Sequence, residues 1–187
     1  MKPYVIAEMG VNFYDTAKKL NINPLEAAKM YIDAAAEAGI DCAKFQSYKA
    51  GTIVSKNSPA YWDLTKEPTK TQYELFLKHD SFGECEYREL CKYTHDKGMD
   101  FTSTPFDYAS ADYLYDMVDF YKISSSDLSN LPFIHHIGAK GKPVFVSVGA
   151  AYLSECDEAI RALQESGCKD IVVFHCVLSY PTNPKDA

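Results

Sequence analysis

The residues Tyr121-Lys122-Ile123-Ser124-Ser125-Ser126-Asp127 form an apolar run that carries a lysine and ends in three hydroxyls and a carboxylate. A cation inside a buried strand is costly unless a negative group meets it. The next residues, Leu128-Ser129-Asn130-Leu131-Pro132, are a helix start, with Ser or Asn as cap and Pro in the first turn. A cation, a row of hydroxyls and a helix N-terminus at one strand end suit an anion, with phosphate the leading candidate. A second cation, Lys44, lies in Asp41–Tyr48, where alternation puts Lys44, Gln46 and Tyr48 on one face and Ala43, Phe45 and Ser47 on the other. Taken singly, either lysine could snorkel from a strand end, and Thr104, Ser125 or Ser147 could merely cap one. Convergence of these groups on one place is what points to an anion site. Glu8 fits either a salt bridge to Lys44 or a role in chemistry, and the two are compatible.

Those side chains need elements to position them. Tyr4 to Gly10 is expected to be strand one, followed by its exit loop. Asn23 caps a helix that begins at Pro24 and stops at Gly39. Strand two, Asp41 to Tyr48, leads into a long connection from Lys49 to about Phe82 that holds Tyr61 and Trp62. Connections of this length usually have a task such as covering a site, although loop packing is the commoner use of such aromatics. Tyr87, Leu90, Cys91 and Thr94 have helical spacing, and Gly98 ends that helix. Strand three is Asp100 to Phe106, with a helix over Ala109 to Met117. Strand four is Phe120 to Ser126, with a helix over Phe133 to Lys140. Strand five is Pro143 to Gly149, with a helix over Ser154 to Ser166. Strand six is Asp170 to Val177, where His175 is read as a core residue. His135 and His136 are read as helix surface or packing residues.

Strand then helix, repeated with short apolar strands, indicates a parallel α/β sheet with right-handed crossovers. An open doubly wound sheet competes with a (β/α) TIM-type barrel. No glycine-rich nucleotide motif follows any strand. Polar residues cluster at the C-terminal strand ends: Glu8, Lys44, Gln46, Thr104, Lys122, Ser125, Ser147 and Tyr180. A barrel brings those ends to one axis, so the barrel is preferred. A full barrel takes ~250 residues, and six of eight strand–helix units are counted. The expectation is one barrel-type domain over 1–187, incomplete before its last two strands.

Composition sets the outer limits. The chain has 187 residues, 47% of them apolar and 24% charged, with a net charge of −7. That argues against nucleic acid as a partner and for small molecules held at local positive sites. No apolar run approaches the ~18 residues of a membrane span, and no signal peptide is evident. The six cysteines lack C-x-x-C spacing and read as reduced, packed thiols in a cytoplasmic protein.

An ordered set of motifs adds to this. Ile6-Ala7-Glu8-Met9-Gly10-Val11-Asn12, Lys44-Phe45-Gln46, Ser103-Thr104-Pro105-Phe106 and Tyr121-Lys122-Ile123-Ser124-Ser125 come first. Asn130-Leu131-Pro132, Gly141-Lys142-Pro143, Val146-Ser147-Val148-Gly149, His175-Cys176 and Tyr180-Pro181-Thr182 follow. Together they resemble the N-terminal barrel domain of the sialic acid synthase family, whose members make N-acetylneuraminate, legionaminate and pseudaminate. The resemblance implies condensation of phosphoenolpyruvate with an N-acylated hexosamine, such as N-acetylmannosamine, to a nine-carbon 2-keto acid and phosphate.

It further implies that Lys44 and Lys122 bind phosphoenolpyruvate, with Thr104, Ser125 and Ser147 as hydroxyl donors. Glu8 would stand near the reacting carbons as a base or charge stabiliser, and Gln46, Asp127 and Tyr180 would face the sugar. A divalent metal, Mn²⁺ or Mg²⁺, is implied for the complete enzyme. Its two histidine ligands are expected on strands seven and eight, outside this chain. A C-terminal antifreeze-like domain, also outside it, is expected to serve a homodimer. This chain alone would then be inactive. Departures lie at Asn12-Phe13-Tyr14-Asp15, where the family often has N-H-N-G, at Leu178, where some members have asparagine, and at Asp127, where others have glutamate. They bear on the sugar. The alternatives are another phosphoenolpyruvate-using keto-acid sugar synthase, acting on a phosphorylated aldose, and a non-catalytic or assembly fragment of such a barrel.

Overall fold

The computed structural model describes residues 2–186. Strand β1 (Ile6–Gly10) is followed by helix α1 (Phe13–Leu20), α2 (Pro24–Glu37) and β2 (Cys42–Ser47). Asn23 begins α2 as expected. Its side chain accepts from Leu25 N at 2.8 Å while Glu26 reaches back to Asn23 N at 3.4 Å. Helix α1 was not anticipated. It forms because Phe13 and Ala17, one turn apart, are both buried, and the Phe13 ring stacks on Phe82 with centroids 4.9 Å apart.

The long connection has structure of its own. It contains two short helices, α3 (Ala50–Ile53) and α4 (Gln72–Leu77), and an antiparallel bridge between Pro59 and Thr71. Thr71 caps α4 through its hydroxyl, which accepts from Glu74 N at 3.2 Å. The Trp62 indole donates to Glu67 O and Thr69 O within the loop, so it packs the loop on itself.

Helix α5 (Glu84–Asp96), β3 (Asp100–Pro105), α6 (Tyr108–Tyr113), β4 (Tyr121–Ile123), α7 (Leu131–Gly138), β5 (Val144–Ser147), α8 (Leu153–Glu165) and β6 (Ile171–Phe174) complete the series. Strand four ends at Ile123 rather than Ser126. The Ser124 hydroxyl accepts from Ser126 N at 3.4 Å and turns Ser125–Asp127 into a single 3₁₀ turn, a local bond that competes with the strand ladder. Strand six ends at Phe174 rather than Val177, which leaves His175 exposed instead of in the core. Among the cysteines, Cys42, Cys91 and Cys168 are buried, whereas Cys85 is exposed and so is not a packed thiol.

All strand pairings are parallel. The order is β1-β2-β3 in one sheet and β4-β5-β6 in another. The two sheets abut where Asp119 N donates to Phe101 O at 3.0 Å and the Thr102 hydroxyl donates to Phe120 O at 2.6 Å. Six strands thus run side by side in chain order. Among the described residues β1 and β6 do not pair, in keeping with a barrel expected to stop before its last two strands, and the strands stand as two three-stranded parallel sheets. Tyr4 and Ile6 from one edge and Val172 and Phe174 from the other nevertheless line one apolar cavity of about 490 Å³ at the N-terminal strand ends.

The core lies between the strands and the helices outside them. Ile32, Phe45, Leu90, Phe101, Ile134, Ile137, Val146 and Leu163 are fully buried there. This layer leaves Lys44 and Lys122 on the opposite, inner face. No helix among the described residues is long and apolar enough to cross a membrane.

Candidate functional site: an anion cleft at the strand ends

The two lysines meet. Lys44 from β2 and Lys122 from β4, only 9% and 7% exposed, line one cavity of about 280 Å³ at the C-terminal strand ends. Glu8, Gln46, Thr104, Ser125, Ser147 and Tyr180 line the same cavity. It lies at the opposite end of the strands from the larger apolar cavity.

Each cation is held by neighbouring strands. The Lys44 ammonium donates to Thr104 Oγ1 at 3.3 Å and forms an ion pair with Glu8 Oε2. The pairing follows from register, since Glu8 stands opposite Lys44 and Thr104 opposite Gln46. Gly10 then pairs with Phe45, so Met9 is an extra residue in β1 and the strand bulges. Gly10 takes a φ of +53°, and a Cβ there would lie 3.2 Å from Glu8 Oε1, so the bulge requires glycine twice over. The other carboxylate oxygen of Glu8 accepts from Gln46 Nε2 at 3.4 Å. Behind the sheet, Tyr87 donates to the Gln46 carbonyl at 2.5 Å and steadies that end of β2.

Lys122 is more deeply committed. It donates to Ser147 Oγ at 2.6 Å and to Ile123 O at 2.7 Å, and lies 5.7 Å from the Phe174 ring centroid. Burial, and then the Lys44 cation, lower its pKa to about 8.

Three hydroxyls in the cavity share one arrangement. Thr104 accepts from Lys44, Ser147 accepts from Lys122, and Ser125 accepts from Gly149 N at 2.9 Å. A hydroxyl whose lone pair takes an N–H keeps its own proton to give. Two ammonium groups and three oriented O–H donors can therefore meet a small dianion, and their donor surface suits phosphate and carboxylate oxygens.

Asp127 is placed elsewhere. The 3₁₀ turn carries its carboxylate into a separate cleft of about 440 Å³, which shares Gln46, Phe106 and Ser126 with the anion cavity. Burial there raises its pKa to about 6. Tyr180 sits at the rim and is 88% exposed.

Sequence reasoning missed several wall residues. Ser124, Phe106 and Cys176 line the anion cavity, as does Leu178, already marked as a departure, and Thr52, Gln72, Phe76 and Asn130 line the adjoining cleft. Gln72 carried a readable signal: Thr71, with Glu74 three residues later, is a helix start inside the long connection.

A parallel α/β fold that gathers two lysines and three hydroxyls in one cavity at its C-terminal strand ends defines the structural class. Within it the chain belongs to the NeuB family, whose sequence model matches residues 31–187. It is 33% identical over 193 residues to the N,N'-diacetyllegionaminic acid synthase of Legionella pneumophila, covering 100% of this chain and 52% of that protein. It is 28% identical over 184 residues to the N-acetylneuraminate-9-phosphate synthase of Drosophila melanogaster, covering 98% of this chain and 47% of that one. The solved structure of an N-acetylneuraminic acid synthetase from Leptospira borgpetersenii superposes with a TM-score of 0.81 at 29% identity, covering 98% of this chain and 57% of that chain. The chain spans about half the length of the curated relatives it matches.

Proposed function

We propose that this chain forms the phosphoenolpyruvate-binding part of a synthase that condenses phosphoenolpyruvate with an N-acylated hexosamine to give a nine-carbon 2-keto sugar acid and phosphate. The carrying observation is the pair of buried ammonium groups, Lys44 and Lys122, beside three hydroxyls whose protons are left to donate. Membership of the family supports a synthase of sialic acid-type sugars.

In this reading the lysines neutralise the phosphate and carboxylate of phosphoenolpyruvate, and Thr104, Ser125 and Ser147 hydrogen-bond their oxygens. The methylene carbon forms a bond to the aldehyde carbon of the open-chain sugar, and the aldehyde oxygen takes a proton. Water adds to the cationic carbon left behind and gives up a proton. The tetrahedral intermediate then breaks its C–O bond to phosphate and becomes the ketone. Glu8 faces that developing positive charge and can stabilise it or take the proton from water.

The divalent metal implied by the resemblance finds no fit here. Among the described residues no three His, Cys, Asp or Glu side chains are grouped to hold one, and the one carboxylate in the anion cavity is paired with Lys44.

Calorimetric titration with phosphoenolpyruvate tests the reading. Lys44→Ala and Lys122→Ala should each weaken binding by about 100-fold, the scale of a lost charge-assisted bond of ~3 kcal/mol. Undiminished binding in both variants would overturn it.

A further inference from the structure

Tyr87 belongs to the outer helical layer, yet its hydroxyl reaches the end of β2. Gly83 is the cap residue of α5, and its N–H donates to the Glu86 carboxylate at 2.8 Å. Phe82, one residue before the cap, packs on Tyr87 in the second turn, with ring centroids 5.9 Å apart. That pairing is a hydrophobic staple, and it fixes how the chain enters the helix. The Tyr113 ring stacks on Tyr87 from another side, at 6.1 Å. With its ring held by both neighbours, Tyr87 is only 4% exposed. Burial raises the pKa of its phenol well above the ordinary range, so the hydroxyl keeps its proton to donate.

That proton has a specific acceptor. Backbone bonding along β2 alternates between its two neighbours. Asp100 N donates to Asp41 O at 2.9 Å and Phe106 N donates to Ser47 O at 3.1 Å, so these residues serve β3. Cys42 N instead donates to Val5 O at 3.2 Å, on the β1 side. Gln46 is in phase with Cys42, so its carbonyl turns toward β1. Strand β1 ends at Gly10, opposite Phe45, after the bulge at Met9. The Gln46 carbonyl therefore points past the last rung of that ladder, and the Tyr87 hydroxyl donates to it at 2.5 Å. A backbone carbonyl left there without a donor would be unfavourable.

From Gln46 the connection runs into the anion cavity. Its side-chain amide donates to Glu8 Oε1 at 3.4 Å, and the other Glu8 oxygen pairs with Lys44. We infer that Tyr87 is a positioning residue for the anion cavity: its hydroxyl closes the open end of the β1–β2 ladder and thereby fixes the Gln46, Glu8 and Lys44 side chains relative to one another. Tyr87 does not line the cavity, so it acts through Gln46 and touches no reactant. The inference rests on the phosphoenolpyruvate reading above and adds to it a residue of the outer layer.

Phosphoenolpyruvate titrated into the wild-type protein, Tyr87→Phe, Gln46→Ala and the double variant tests this. Tyr87→Phe keeps both ring contacts and removes one donor, and a cooperative thermal transition checks that it is folded. It should bind phosphoenolpyruvate about 5-fold more weakly, the scale of one lost hydrogen bond. In the Gln46→Ala background the same change should cost less than about 2-fold, because the side chain that carries the effect is gone. In ¹⁵N-labelled protein the Gln46 side-chain amide resonance, assigned by its loss in Gln46→Ala, should shift in Tyr87→Phe. If the wild-type protein does not bind phosphoenolpyruvate, the proposed function falls and this inference falls with it. If it binds, the inference alone is overturned by equal affinity in Tyr87→Phe, by an equal loss with and without the Gln46 side chain, or by an unmoved amide resonance. A Tyr87→Phe variant that does not fold would make the hydroxyl a support of the whole fold, which also overturns it.

Discussion

The Lys122 ammonium on β4 donates to the Ser147 hydroxyl on β5 at 2.6 Å, across two adjacent parallel strands. That bond holds a cation that is only 7% exposed within a cavity that also contains Lys44. Burial and a like charge both press Lys122 toward its neutral form, so the free site is poised to receive an anion.

This has a pH signature with two opposite slopes. The folded pKa of about 8 lies below the unfolded value of 10.5. Between those values the unfolded chain binds more protons, so the contribution of Lys122 to stability rises with pH, and below pH 8 its full penalty, on the order of 3 kcal/mol, is present. Phosphoenolpyruvate affinity should run the other way, level below pH 8 and falling up to ~10-fold per pH unit above it. Lys122→Met should abolish the affinity slope and raise the melting temperature at pH 7. A wild-type affinity that stays flat from pH 7 to 9.5 would contradict the assignment.

Gly149 should matter for steric reasons. A Cβ there would lie 3.0 Å from Ser125 Oγ and 3.0 Å from two carbons of Leu178. The leucine can move aside, but the serine hydroxyl is the one that accepts Gly149 N. Gly149→Ala should weaken phosphoenolpyruvate binding by about 10-fold and cost ~1 kcal/mol of stability. Adding Leu178→Ala should leave affinity low, because the serine stays displaced. Full recovery of affinity in the double variant would show that Leu178, not Ser125, transmits the effect.

Thr94 offers a stability test away from the cleft. It is fully buried in α5, and its hydroxyl has no hydrogen-bond partner. Replacing an unsatisfied hydroxyl with a methyl removes a desolvation cost, so Thr94→Val should stabilise by about 1 kcal/mol and raise the melting temperature by roughly 2–4 °C. A lower melting temperature would mean that the hydroxyl is satisfied.

Much of this was legible in local pattern. The two-residue period of Asp41–Tyr48 put Lys44 and Gln46 on one face, and both line the anion cavity. Asn23-Pro24 began a helix where it was expected to. The repeated strand-then-helix order indicated a parallel α/β fold, and the strands are parallel. These features depend on neighbours within a few residues, which is the range over which period and capping act.

What tertiary structure alone decided is which residues from distant segments meet. Glu8 pairs with Lys44 because a bulge at Met9 sets the register between β1 and β2. Asp127 follows Lys122 closely in sequence, yet it faces a different cleft, because a serine side chain ended the strand at Ile123. Helix α1 depended on Phe82, 69 positions along the chain from Phe13. Register, turn direction and long-range ring packing are set by free-energy differences between alternative partners, and those partners become neighbours only when the chain is folded.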